Sequence, residues 1–111
     1  MRLSDLTSET REMVVVYKTS TKDFPVKIEY RTQAVDLAFI SEMSGLQGAE
    51  KLIYQLEKVI VKWDLQDDED KEIPVNRKAI EKAGIPVYLL TSILEAVVED
   101  SKILDDESKN V

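Results

Sequence analysis

One run of apolar residues limits the folds open to this chain more than any other feature of its sequence. From Glu50 to Trp63, apolar side chains recur at spacings of one and three residues, which place them along one stripe of a helix. Charged and amide side chains occupy most of the other positions. The pattern predicts an amphipathic helix through Trp63 with its apolar stripe in the core. The members of that stripe are Leu52, Ile53, Leu56, Val59, Ile60 and Trp63.

A β-hairpin is predicted ahead of this helix, between Glu12 and Arg31. Its first strand, residues 12–18, is rich in β-branched residues, and its second strand, residues 26–31, alternates strictly between apolar and charged side chains. The alternation places Val26, Ile28 and Tyr30 on one face, and the polar segment 19–25 links the two strands. Because a lone hairpin is only marginally stable in water, we expect helices to pack on that face.

Three more helices are predicted from capping residues and apolar spacing. The first runs from Gln33 to Met43 with Thr32 as its N-cap, and a short one runs from Asn76 to Ala83 and ends at Gly84. The last begins at Pro86, which is tolerated in a first helical turn because its missing N–H has no partner there. Its apolar stripe consists of Val87, Leu90, Ile93, Leu94 and Val97, widened by Leu89 and Val98.

The remaining segments are acidic and are predicted to lack regular structure. The stretch from Asp64 to Glu72 carries six acidic residues and one lysine, and this local repulsion favours a solvated loop. Residues 100–111 are mostly polar, so we expect a disordered acidic tail after an ordered core over about residues 12–99. The sequence therefore predicts a single α+β domain, residues 1–111, in which a β-hairpin packs on three to four α-helices.

Composition excludes many kinds of chemistry. The chain of 111 residues has no Cys and no His, which removes disulfides, thiolate nucleophiles, Cys/His zinc sites and His-based triads. Its net charge of -7 would repel a phosphate backbone or an anionic bilayer. No apolar run approaches the ~20 residues of a membrane span, and the N-terminus lacks the apolar segment of a secretory signal. We expect an intracellular protein that is not an enzyme, needs no cofactor or metal, and binds neither nucleic acid nor membranes.

The acidic loop invites comparison with a calcium site, but its spacing does not fit. An EF-hand loop needs a Gly at its sixth position for the sharp turn. Counted from Asp64 the sixth residue is Glu69, and counted from Asp67 it is Glu72. A solvated turn is the better interpretation.

Three motifs follow one another along the chain. The hairpin ends in Val26-Lys-Ile-Glu-Tyr-Arg31, and the amphipathic helix runs into Val61-Lys-Trp-Asp-Leu-Gln-Asp-Asp-Glu-Asp-Lys-Glu-Ile-Pro74. The last segment contains Pro86-Val-Tyr-Leu-Leu90 and then Ile93-Leu-Glu-Ala96. In this order the motifs resemble those of small tail proteins of long-tailed bacteriophages, of the tail assembly chaperone type. The resemblance covers roughly residues 13–100, and it departs at Lys71, about where the family's acidic turn commonly holds a Gly.

This resemblance implies a non-enzymatic helper that acts during tail assembly, in the cytoplasm of an infected or lysogenic bacterial cell. Its implied partner is the tape measure protein, with tail tube subunits as a further candidate. The sequence leaves open whether the chain forms a homo-oligomer. Two other functions stay open: a structural tail or head–tail connector component of the virion, and an acidic regulator or inhibitor that occupies a basic site on a host protein.

Candidate protein-binding residues lie around the tryptophan motif and on the last helix. Trp63 has two interpretations, because Trp is common both in cores and in binding hot spots. On the last helix, Leu89 and Val98 make the apolar surface wide enough either to contact a partner or to pack on the hairpin. The candidates are Trp63, Leu65, Val87, Leu89, Leu90, Leu94 and Val98.

Overall fold

An antiparallel sheet forms one layer of the protein, and its first two strands are the predicted hairpin. Strand β1 spans Thr10–Lys18 and strand β2 spans Asp23–Arg31, with Lys18 opposite Asp23. Val26, Ile28 and Tyr30 of β2 are all buried, which confirms the predicted inner face. The structure, a computed structural model, describes the backbone of residues 1–109 and the side chains of residues 1–101.

The fold is α+β, as predicted, but it has one more strand than the hairpin. Strand β3, Ile60–Trp63, pairs with β2, so the sheet order is β1-β2-β3. Helix α1, Leu3–Thr7, precedes β1, in a region that the predicted ordered core did not include. The other helices in the described part of the chain are α2 (Leu37–Ser44), α3 (Gly48–Val59), α4 (Arg77–Ala83) and α5 (Val87–Lys109).

The prediction that one helix runs through Trp63 is wrong, although its buried positions are right. Helix α3 ends at Val59, and the chain continues directly as β3. Residues three apart in a regular strand point to opposite faces, yet Ile60 and Trp63 are both buried. The reason is a bulge: Tyr30 lies opposite Ile60 and Glu29 opposite Lys62, which leaves Val61 as an extra residue. Because of the bulge, Ile60 and Trp63 both point inward from a strand although their spacing is typical of a helix.

The predicted start of α2 is also wrong. Thr32 does not cap the helix, because its N–H and hydroxyl continue the hairpin by bonding to Glu9. The helix begins at Leu37, and the Asp36 carboxylate caps it by accepting a hydrogen bond from the Phe39 N–H at 2.8 Å. Gly45 follows the last residue of α2 and ends the helix.

The predicted boundaries of α4 and, to within one residue, the predicted start of the last helix are confirmed, whereas α5 continues into the segment that was predicted to be disordered. The Asn76 side chain accepts a hydrogen bond from the Ala79 N–H at 2.8 Å, and Gly84 ends α4 with a left-handed backbone, φ 70°. Helix α5 then begins at Val87, directly after Pro86. Arg77 on α4 contacts Glu50 on α3 and Glu81 on its own helix, which links the two helices at the surface.

The buried side chains form one cluster between the sheet and the helices. Leu56 and Val59 of α3 and Leu90, Ile93 and Val97 of α5 pack with the inner face of the sheet. Asp100, at the start of the predicted disordered tail, lies in α5 and bonds to Tyr30 of β2. Residues 110 and 111 of that predicted tail lie outside the described residues, as do the side chains of 102–109.

Candidate protein-binding surface

Trp63 belongs to the core and not to a binding surface. Its side chain is 1% exposed, and its indole N–H donates a hydrogen bond to the backbone carbonyl of Ile73. A buried indole needs such a partner, because an unpaired N–H in the interior is costly. The interpretation of Trp63 as a core residue is confirmed, and a partner cannot reach the ring while the fold is intact.

The residues after Trp63 join the acidic segment to the sheet. Asp64 bonds to Lys27 of β2 twice: its carboxylate accepts from the Lys27 N–H, and its own N–H donates to the Lys27 carbonyl, both at 3.0 Å. The Leu65 carbonyl accepts from the Ile73 N–H at 2.9 Å, and the Leu65 side chain packs partly buried against the core. The tryptophan motif, one of those that carry the family resemblance, therefore has a structural role in this chain. Its hydrogen bonds and the Leu65 side chain hold the acidic loop against the sheet and the core.

The tip of this loop is organised by one acidic side chain. The Asp67 carboxylate accepts hydrogen bonds from the N–H groups of Glu69 and Lys71, at 2.8 and 3.1 Å. Asp70 has a left-handed backbone, φ 63°, a conformation that Asp and Asn tolerate better than most residues. The left-handed backbone conformation that glycine adopts most readily therefore lies at Asp70, one position before Lys71. The segment is a loop, as predicted.

A shallow cleft of about 280 Å³ lies between this loop and the outer face of the sheet. Its charged groups are largely paired with one another: Glu12 lies 3.6 Å from Lys27, and Lys62 lies 4.0 Å from Glu72. These four side chains are between 46% and 64% exposed, so neither Glu12 nor Glu72 is a desolvated carboxylate of the kind used in acid–base catalysis. Within the described part of the chain, no three acidic side chains are grouped to hold a metal ion.

The candidates on α5 divide between core and surface. Leu89 and Leu90 are buried in the cluster and Leu94 packs partly buried against it, so all three side chains contribute to the core. Val87 and Val98 remain largely exposed. Burial thus removes Trp63, Leu89 and Leu90 from the set of side chains that a partner could contact.

Exposed apolar side chains lie at the start of α5, where Tyr88 is 79% exposed, and also on α2. Leu37 is 85% exposed, and Ile40, one turn further along, is 56% exposed. Val35 precedes them and is also exposed. Helix α2 docks through its other side, where Phe39 is buried with its ring 5.5 Å from that of Tyr54 on α3. We call Val35, Leu37 and Ile40 the α2 face.

Sequence reasoning missed the α2 face, although a signal was present. Leu37 and Phe39 are two residues apart and therefore lie on nearly opposite sides of a helix. A helix on the surface buries only one side, so one of the two had to remain in solvent. Because the segment is rich in apolar residues, all of them were assigned to one helix, and the two sides of that helix were not distinguished.

A polar contact fixes the end of α5 to the sheet. The Tyr30 hydroxyl donates a hydrogen bond to the Asp100 carboxylate, and the Arg11 guanidinium lies 3.3 Å from the same carboxylate. Burial raises the pKa of Tyr30 to about 12, and the hydrogen bond to Asp100 contributes to the shift. The neutral hydroxyl is therefore the form that the folded protein favours.

Comparisons with protein-family models, curated proteins and solved structures found no match to this chain. Among the helices of the described residues, none has an apolar stretch long enough to cross a bilayer.

Proposed function

We propose that this chain is a non-enzymatic assembly factor that binds another protein, a tail assembly chaperone of a long-tailed bacteriophage. Its partner would be the tape measure protein, bound in the cytoplasm of the host cell while the tail is built. The observation that carries this proposal is the α2 face, where Leu37 is 85% exposed on a helix that docks through its opposite side.

The α2 face suits an apolar helical partner. Exposed apolar side chains one turn apart form the kind of surface that an amphipathic helix covers with its own apolar side. A long helical segment awaiting assembly presents such a side to water and needs it covered. The net charge of -7 would keep the resulting complex soluble.

The motif order of the sequence supplies the identity of the partner. The tryptophan motif, the acidic turn and the final Pro86 segment resemble those of tail assembly chaperones in the same order. The resemblance supports the identity of the partner, and the exposure of Leu37 and Ile40 supports the choice of the surface that binds it.

Co-purification tests the proposal. The chain is co-expressed with the tape measure protein of the same genome, and the complex is isolated through a tag on the tape measure protein. We expect the unmodified chain to co-purify and the double variant Leu37→Asp/Ile40→Asp to be lost. Asp is favourable in the first turn of a helix, so the change at Leu37 should leave α2 folded.

The control is Leu3→Asp, which places one of the two added charges on an exposed apolar residue of α1. It should co-purify as well as the unmodified chain. Loss of both variants would show a general effect of added charge, and retention of the double variant would remove the α2 face from the proposal. Failure of the unmodified chain to co-purify would contradict the proposal itself. Recovery of the chain at stoichiometric levels in mature virions would instead favour a structural tail component.

A further inference from the structure

We propose that β1 is an interface on which a second copy of this chain adds antiparallel, joining two sheets into one. The inference is independent of the tape measure partner, because it rests on a different surface. Strand β1 is nine residues long, lies at the edge of the sheet, and pairs with β2 without any register shift. An edge of that length without a bulge or proline is a ready template for another strand.

The hydrogen-bond pattern shows which residues of β1 face outward. Thr19 donates to Lys22 at one end of the hairpin, and Thr32 donates to Glu9 at the other. In an antiparallel pair, every second residue is bonded to the partner strand, so the odd-numbered residues of β1 bond to β2. The N–H and C=O groups of Glu12, Val14, Val16 and Lys18 therefore point away from β2, along the free edge.

The side chains of these outward residues lie together on the exposed face of the sheet. Val14 is 57% exposed and Val16 is 49% exposed, between the charged side chains of Glu12 and Lys18. Two exposed valines in the middle of an edge strand are unusual, because edges are commonly protected by charge at that place. The other edge, β3, has such protection: it is four residues long, bulged, and carries Lys62.

One register makes this edge complementary to itself. When two copies of β1 run antiparallel about a two-fold axis at Val15, Val14 faces Val16 of the second copy, and Glu12 faces Lys18 of the second copy. Outward residues then face outward residues, as hydrogen bonding across the axis requires. Cross-strand pairs of opposite charge and of β-branched residues are both stabilising.

The neighbouring registers lack this match. An axis at Val14 sets Glu12 against a valine of the second copy, and an axis at Val16 sets Lys18 against a valine. Within its own sheet Glu12 lies opposite Glu29 and 3.6 Å from Lys27, and in the Val15 register Lys18 of the second copy lies on its other side. Since each copy offers one such edge, the pairing closes as a dimer and does not continue into a fibre.

Charge reversal tests both the interface and its register. Sedimentation equilibrium of the unmodified chain should give a mass of twice 12.7 kDa at high concentration and dissociation on dilution. Either Glu12→Lys or Lys18→Glu places like charges opposite each other twice by symmetry, which should weaken the dimer about tenfold or more. The double variant Glu12→Lys/Lys18→Glu restores both pairs and should restore the unmodified affinity.

Amide hydrogen exchange at high and low concentration locates the contact. The amides of Val14 and Val16 should exchange more slowly as the dimer forms, while those of Met13 and Val15, already bonded to β2, should not change. A single-chain mass at every concentration, an assembly larger than two chains, or a dimer unaffected by single reversal would overturn the proposal. So would a dimer whose outward β1 amides show no concentration dependence.

Discussion

At the scale of single residues, two buried side chains connect the sheet to the segments that follow it. Tyr30 of β2 donates to Asp100 on α5, and Trp63 of β3 donates to the Ile73 carbonyl beyond the acidic loop. Both side chains are nearly inaccessible to water, so each polar atom depends on its partner. They hold a distant part of the chain in place while filling the core.

The contribution of Trp63 can be measured by truncation. Trp63→Ala removes the ring and leaves a cavity beneath the loop, so we expect it to lower the free energy of unfolding by ~3–5 kcal/mol. Trp63→Phe keeps much of the volume but leaves the Ile73 carbonyl unpaired, so its loss should be smaller. Urea denaturation measures both. A loss within ~0.5 kcal/mol for the alanine variant is what an exposed ring would give.

Tyr30 gives the protein a defined sensitivity to alkaline pH. Its pKa is raised from 10.0 to about 12, so the stability it contributes is fully present below pH 10. Above that pH the unfolded chain ionises first and binds fewer protons than the folded chain, and stability falls as pH rises toward 12. Thermal unfolding between these pH values should show the fall.

The matched variant for this measurement is Tyr30→Phe, which removes the ionisable hydroxyl. Its stability should depend less on pH over the same interval, after correction for the three other tyrosines that both proteins share. Equal slopes for the two proteins would show that Tyr30 does not titrate with a raised pKa.

At the scale of secondary structure, the difference between predicted and observed elements comes from tertiary contacts. The caps at Asn76 and Gly84 act locally, and the sequence predicted them correctly. The end of α3 was not predictable in this way, because Ile60 and Trp63 fit a helical stripe as well as a bulged strand. The free edge of β2 decides between them, and no local pattern in the sequence records that this edge is available.

The candidate binding residues were likewise predictable only in part from the sequence. Apolar spacing on α5 identified buried positions such as Leu90, because a stripe at helical spacing marks a core face. It could not tell which apolar residues remain exposed, since that depends on how many sides of a helix are covered. Leu37 and Val14 became visible as surface residues only once α2 and β1 had been placed in the fold.

The hydrogen bonds that the Asp67 carboxylate accepts within the acidic loop can be tested simply. Asp67→Ala removes the acceptor for two backbone N–H groups, so we expect a loss of ~1 kcal/mol in the free energy of unfolding. Asp67→Asn keeps an acceptor oxygen and should recover most of it. The control is Asp68→Ala, which removes the same charge from a side chain for which the described structure shows no hydrogen bond. Equal losses at 67 and 68 would assign the effect to charge.

At the scale of the whole molecule, the two proposals use exposed apolar side chains on two separate elements. The α2 face is helical and is proposed for the tape measure protein, whereas the β1 edge is extended and is proposed for a second copy. The charged cleft between the sheet and the acidic loop shares Glu12 with the β1 edge and shares no lining residue with the α2 face. Binding at the α2 face depends on apolar contact, which distinguishes the proposed function from that of an inhibitor that uses its acidic residues.

Calorimetric titration of the purified chain with its tape measure segment tests that dependence most directly. Burial of apolar surface on binding gives a negative heat-capacity change. The affinity of an interface that has no charge pairs depends little on salt. We therefore expect a binding enthalpy that becomes more negative with temperature, an affinity nearly constant with added salt, and loss of binding in Leu37→Asp/Ile40→Asp. A heat-capacity change near zero with an affinity that falls steeply with salt would contradict the account.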